Sequence, residues 1–327
     1  MPCPRNVLLA TLACVALASL PASAASADHV AVSRLDDRIR VEIGGQLFTE
    51  YRHADASKPY LYPVLLANGT PLTRDWPMKD GTPGEEKDHP HHRGLWFSHG
   101  KVNGHDFWLD NARAGLIVQD QILETSSGAT GIIRTANRWQ LRDGTVICRD
   151  ERTLRIRAIP GGRQLDFEVT LFAGESPLVL GDTKEGSMSI RLNEDMRLTK
   201  RGENRRQVPH KGTIVNSEGI KNGDTWGKRA KWVDYHAPLE KGVVGVAIFD
   251  HPSNPRHPTW WHVRDYGLFA ANPFGVHDFE RLENASAGDI TVPAKGKITF
   301  RYRFVFHEGD TAAANIASQY QAYAETK

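Results

Sequence analysis

Alternation of apolar and polar residues with a period of two dominates this chain. Ile39, Val41 and Ile43 alternate with Arg38, Arg40 and Glu42, and Gly44-Gly45 then offers a hairpin turn into Leu47–Tyr51. Leu165, Phe167, Val169 and Leu171 alternate with Asp166, Glu168 and Thr170. Ile298, Phe300, Tyr302, Phe304 and Phe306 share one face of a long strand, with Thr299, Arg301 and Arg303 on the other. Residues 131–140 and 145–159 also read as strands. Val243–Phe249 is continuously apolar, the pattern of a strand covered on both faces. Side chains on a strand point alternately to its two faces, so such segments, divided by Gly, Pro, Asn and Asp, predict an all-β antiparallel sandwich or supersandwich. Helix is scarce. Asp310 can cap a C-terminal helix over Thr311–Tyr323, with Ile316, Tyr320 and Tyr323 as its apolar stripe.

The first residues read differently. Arg5 precedes the apolar run Val7–Leu20, and Pro21-Ala22-Ser23-Ala24 supplies small residues for cleavage. This is the pattern of a secretory signal peptide over residues 1–24, which predicts a periplasmic or secreted protein. At about 14 residues the run is short for a membrane span, and no later stretch approaches that length. Cleavage would leave about 300 residues, read as one β-sandwich domain over 28–327. It would also leave Cys148 as the only cysteine, so no internal disulfide is expected and a large core must supply the stability. The charges are well mixed and sum to +2, which offers no tract for nucleic acid and no membrane insertion after cleavage.

Candidate chemistry concentrates in residues 88–108, which hold His89, His91, His92, His99 and His105, five of the fourteen histidines. Arg93, Trp96 and Trp108 accompany them, and Gly94, Gly100 and Gly104 mark turns. Histidine serves as proton carrier, metal ligand or hydrogen-bonding group near neutrality. If His89 and His91 are extended they share a face, and His89, His91 and His99 could hold a divalent metal. The alternatives are metal-free acid/base work on a substrate, with no cofactor, and a loop fixed by its own hydrogen bonds. In Gly181-Asp182-Thr183-Lys184-Glu185-Gly186, a lysine beside a carboxylate at a strand end can tune a general base, although a charged turn has the same composition. The segment His251–Gly275 mixes imidazole, guanidinium and aromatic rings in Trp260, His262, Arg264 and Asn272, a combination suited to sugars.

Lys58-Pro59-Tyr60-Leu61-Tyr62-Pro63, Thr73-Arg74-Asp75-Trp76-Pro77, Asp88–Trp96, Val102–Trp108, Asp182–Gly186 and Asn272–Gly275 span nearly the whole chain after the leader. In these motifs the sequence resembles the exported bacterial proteins of unknown function called the PmoA family, sometimes labelled methane oxygenase. A membrane-bound methane oxygenase subunit needs several apolar spans of ~20 residues, which this chain lacks. At fold level the resemblance extends to galactose mutarotase-like proteins, which implies a supersandwich presenting polar side chains to a sugar.

The expectation is therefore a protein acting on a sugar or glycoside, a small molecule or an oligosaccharide, by epimerase, lyase or hydrolase-type acid/base chemistry. His91 or His92 would be the proton donor, Glu185 the base and Lys184 a charge stabiliser. Arg93, Trp96, His99, Asp182, Trp260, His262, Arg264 and Asn272 would bind substrate. A metal-dependent enzyme and a non-catalytic glycan-binding protein are the alternatives.

Overall fold

Alternation along the chain resolves into two eight-stranded antiparallel sheets packed face to face. The computed structural model describes Met1, Cys3 and residues 26–326, apart from 55 and 203–205. The leader reading at 1–24 otherwise lies outside the described residues. The chain lays down β1 (Val30–Arg34), β2 (Arg38–Ile43), β3 (Gln46–Arg52), β4 (Tyr60–Val64) and β5 (Leu95–His99) in the first sheet. It crosses to the second for the meander β6 (Leu116–Ser126), β7 (Gly131–Gln140), β8 (Val146–Ile159) and β9 (Gly162–Phe172). After the short β10 (Leu178–Leu180) it returns with β11 (Gly186–Arg191), beside β5.

A small hairpin, β12 (Thr199–Arg201) and β13 (Gln207–Pro209), leads to β14 (Thr213–Asn216), β15 (Trp232–Leu239) and β16 (Gly242–Asp250) in the second sheet. Next, β17 (Trp260–Val263) and β18 (Leu268–Asn272) complete the first. A short helix α1 (Val276–Glu280) and β19 (Ile290–Val292), which pairs with β10, precede β20 (Lys297–Glu308), inserted between β16 and β9. The chain ends in α2 (Ile316–Ala324).

The inner faces meet as the pattern predicts. Phe300, Phe304 and Phe306 of β20, Leu165 and Val169 of β9 and Ile39 and Val41 of β2 are buried in one core with Cys148. Each such large side chain contributes roughly 1.5–3 kcal/mol by leaving water. The continuous apolar run of β16 has a specific cause. Val244, Val246 and Ile248 face the core, whereas Ala247 and Phe249 on the other face are covered by Ile316, Tyr320 and Tyr323 of α2. That helix is shorter than predicted. Asp310 does cap the backbone, accepting from Ala312 N and Ala313 N, but residues 311–315 form turns and Asn315 has φ 51°.

On the first sheet the outer face is also buried, and this positions the candidate site. Leu95 and Phe97 of β5 point into the core, while Trp96 points outward into a separate cluster with Tyr60, Tyr62, Trp108 and Leu268. Register places Ser187 opposite Ser98 and Ser189 opposite Trp96, so three serines share this face with the tryptophan. Gly94, at φ +53°, precedes β5 where a Cβ would lie 2.1 Å from the Leu61 carbonyl oxygen, so only glycine lets the histidine loop enter the sheet so close to β4.

Candidate functional site

The loop carrying the histidines is a turn, not an extended strand. His92 N donates to His89 O at 3.0 Å and His89 has φ +40°. The rings nevertheless gather. Tyr266, His89, His92 and Trp96 form a continuous stack, with centroids 5.2, 4.8 and 5.4 Å apart and interplanar angles of 6°, 5° and 21°. His91 sits edge-on to His92 at 4.3 Å, and Trp108 closes the far side at 5.7 Å from His92.

Two buried arginines hold this loop in place, and neither stood out by composition. Arg74 has no exposed side-chain surface. It donates to the carbonyls of Trp76, Glu86, Asp88 and His89 at 3.0–3.3 Å and pairs with the Asp88 carboxylate. Arg191 of β11 donates to Asp88 Oδ1 at 3.0 Å and to His92 Nδ1 at 3.2 Å, and lies 4.8 Å from the Tyr266 ring centre. Burial pushes the Asp88 carboxyl up, but His89, Arg191 and Arg74 outweigh it and hold it well below the usual carboxylate range. Asp88 Oδ2 is 2.8 Å from His89 Nδ1 without hydrogen-bond geometry, so an ionised carboxylate stands beside that imidazole.

Guanidinium nitrogen only donates, so His92 Nδ1 must be the unprotonated acceptor and its ring the neutral Nε2–H tautomer. Burial, with His91 and Arg191 adding to it, drives His92 well below its ordinary pKa. Burial and the nearby Lys58 push His91 down to about 3. Lys58 is buried, donates to the Trp108 carbonyl at 2.6 Å and is pushed down to about 7 by burial. Of the three clustered rings, His89 keeps an open edge, with 40% of its side chain exposed.

Glu185 lies just before β11 with 38% of its side chain exposed. Burial raises its carboxyl pKa, Lys184 counters that, and Asp106, Asp278 and His89 act on it in turn. The carboxyl is thus within electrostatic reach of His89, although 96 positions separate the two in sequence. Lys184 Nζ stands 3.9 Å from both Glu185 and Asp278. Beneath, the hydroxyls of Ser98, Ser187 and Ser189 and the Trp96 indole N–H are buried without a protein partner.

Several expected substrate contacts have other occupations. His99 is buried on the core side of β5, its Nε2 donating to the Gly181 carbonyl at 2.8 Å and its ring 4.3 Å from Phe274. It faces away from His89 and His91, so the His89/His91/His99 set cannot surround one ion. Among the described residues no group of three His, Cys, Asp or Glu side chains has metal-binding geometry. Asp182 Oδ2 accepts from His277 N and Gly288 N. Asn272 is consumed by four backbone contacts around Thr183–Gly275. Trp260 is covered by Arg229 at 4.5 Å and donates to Glu280, which leaves that face closed to a sugar.

Trp96 is fully buried inside the ring stack, and Arg93 is tied to Asp110 at 2.9 Å. His262 is buried and accepts from Trp226 Nε1 at 3.1 Å. Arg264, by contrast, lies over both Trp226 and Tyr266, at 5.8 and 5.5 Å. Trp226 donates from its indole to His262 and lies beneath the Arg264 guanidinium.

Burial sets a pH limit on the fold. It pushes His99 and His262 down to about 4 and about 3. Both stay neutral in the folded chain while the unfolded chain protonates them near pH 6.5. Stability is full above that value and falls as pH drops from about 6.5 towards those folded values, at about 1.4 kcal/mol per pH unit for each histidine. Urea unfolding midpoints across that window are expected to decline steadily. A flat midpoint would show that the two rings are not buried neutral.

Solved structures to which this chain is similar match it at low identity. A galactose mutarotase-like protein from Lactobacillus casei is 9% identical, with a TM-score of 0.41, covering 85% of this chain and 100% of that one. An α-galactosidase from Lactobacillus brevis is 13% identical, with a TM-score of 0.40 over 89% of this chain. Heparan sulfate lyase HepC from Pedobacter heparinus is 9% identical, with a TM-score of 0.36 over 88% of this chain. This chain spans 41% of the α-galactosidase and 36% of the lyase. None of the curated proteins matches it. A family described as a family of unknown function (DUF6807) matches residues 38–321, and that match carries no PmoA assignment.

Proposed function

This chain belongs to the DUF6807 family of unknown function, and from its own side chains we propose that the region of His89 and Glu185 is an acid/base site for a sugar or glycoside in an exported protein. His89, beside Asp88, and Glu185 are the proton-transferring pair. The observation that carries this reading is an imidazole with an open edge, beside an ionised carboxylate and within electrostatic reach of a half-exposed carboxyl whose proton affinity burial has raised. A proton donor and a proton acceptor placed on one sugar ring can open a hemiacetal, move a ring proton or protonate a leaving oxygen.

His91 and His92 are kept neutral by burial and like charge, which suits them to donate or accept hydrogen bonds rather than act as imidazolium acids. Lys184 supplies charge beside Glu185.

The test is a turnover screen of reducing sugars, aryl glycosides and polysaccharides with the full chain, repeated with His89→Gln. The expected result is a substrate whose conversion is lost in the variant while its folding is retained. Conversion that survives the exchange removes His89 from the chemistry. Binding without conversion across the screen identifies a glycan-binding protein instead.

A further inference from the structure

A cavity of about 680 Å³ is lined by Trp226, Arg264, Asp265, His210, Thr199 and Asn222, among others. Its polar groups are not equally free. Asp265 accepts from Thr199 Oγ1 at 3.0 Å, and His210 stands 3.4 Å from Asp195. Among the described residues the Arg264 guanidinium has neither a carboxylate nor a hydrogen-bond partner. The other arginines around the cleft contrast with it: Arg74, Arg93, Arg191, Arg229 and Arg256 each donate to a carbonyl or carboxylate.

Arg264 is nonetheless held. Its backbone N donates to the Leu268 carbonyl at 2.7 Å in the turn between β17 and β18, and its guanidinium rests over the rings of Trp226 and Tyr266. Trp226 is itself fixed by its bond to His262, and Tyr266 stacks on His89. A cation laid on two aromatic rings is pre-positioned with its donors unspent, the arrangement that recognises a carboxylate through two parallel N–H···O bonds. The stack also connects this cation to the proton-transferring pair.

We propose that Arg264 binds the carboxylate of a uronic-acid residue seated in the Trp226 cavity, which makes the ligand an acidic glycan. This rests on the acid/base reading for the nature of the ligand and adds its charge. The experiment is calorimetric titration of the full chain at fixed ionic strength with D-glucuronate and D-galacturonate, each beside its neutral counterpart, D-glucose or D-galactose. At least one uronate is expected to bind about tenfold or more tightly than its neutral partner. Arg264→Gln should remove that preference without lowering the melting temperature, and Arg264→Lys, which keeps the charge but loses the fork, should retain part of it.

The proposal is overturned if no uronate binds, if the neutral sugars bind as tightly, or if the preference survives Arg264→Gln. Inorganic sulfate binding as tightly as the uronates would also overturn it, by showing a bare anion site. Glu185→Gln should leave the preference untouched. Turnover that survives Glu185→Gln therefore counts against the acid/base pair alone, and a missing uronate preference counts against Arg264 alone.

Discussion

Exchange of Glu185 for glutamine is expected to lower turnover of the true substrate by about two to four orders of magnitude, the range for loss of a positioned general acid or base. Glutamine has nearly the same shape but cannot take or give the proton. The fold should not register the change, because the side chain is half exposed and its nearest charged partner, Lys184, is 3.9 Å away. The structural duties here belong to the backbone, whose carbonyl accepts from Gly100 N at 2.8 Å. Ligand affinity by calorimetry should stay close to that of the parent. The pH profile gives a second readout. With its carboxyl raised chiefly by burial, Glu185 acting as a base places the acidic limb of kcat/KM above the ordinary carboxylate range, and the limb should vanish in the variant. Unchanged turnover with an unchanged acidic limb would remove Glu185 from the chemistry.

Arg74→Ala should cost about 3–5 kcal/mol of stability, the scale for breaking a buried charge pair from one side. Four carbonyls and the Asp88 carboxylate lose their donor together. Arg191 would remain beside Asp88, so the pair would not be orphaned entirely, but it reaches none of those carbonyls. Lysine should rescue little, because one ammonium cannot cover acceptors spread along the loop from Trp76 to His89. Urea denaturation measures the loss, and a cost below about 1 kcal/mol would mean that the histidine loop is held by other contacts. The same variant should disorder His89 and reduce turnover more than its residual folded fraction predicts.

The strands were legible because the alternation is local. Leu165–Leu171 and Ile298–Phe306 announce their faces in their own residues, and both lie where that alternation puts them. The stripe of Ile316, Tyr320 and Tyr323 was equally readable, and it explains why β16 is apolar on both faces. The histidine cluster was also visible as a concentration of residue types. Its internal roles were not. His99 differs from His91 by which side of β5 it faces, and His92 differs from His89 by an arginine 99 positions away that donates to its Nδ1. Trp260 reads as a sugar platform until Arg229 is found covering it.

By itself, the sequence determined the all-β sandwich, the face each long strand buries and the segments from which a polar cleft could be drawn. Those follow from side-chain period and residue type, which act over a few neighbours. Only the tertiary structure decided that Asp88 stands beside His89, that His99 lies in the core, and that Arg264 is left with its donors unspent. Burial and electrostatic partnership set those states, and both depend on which distant strands the sheet brings side by side.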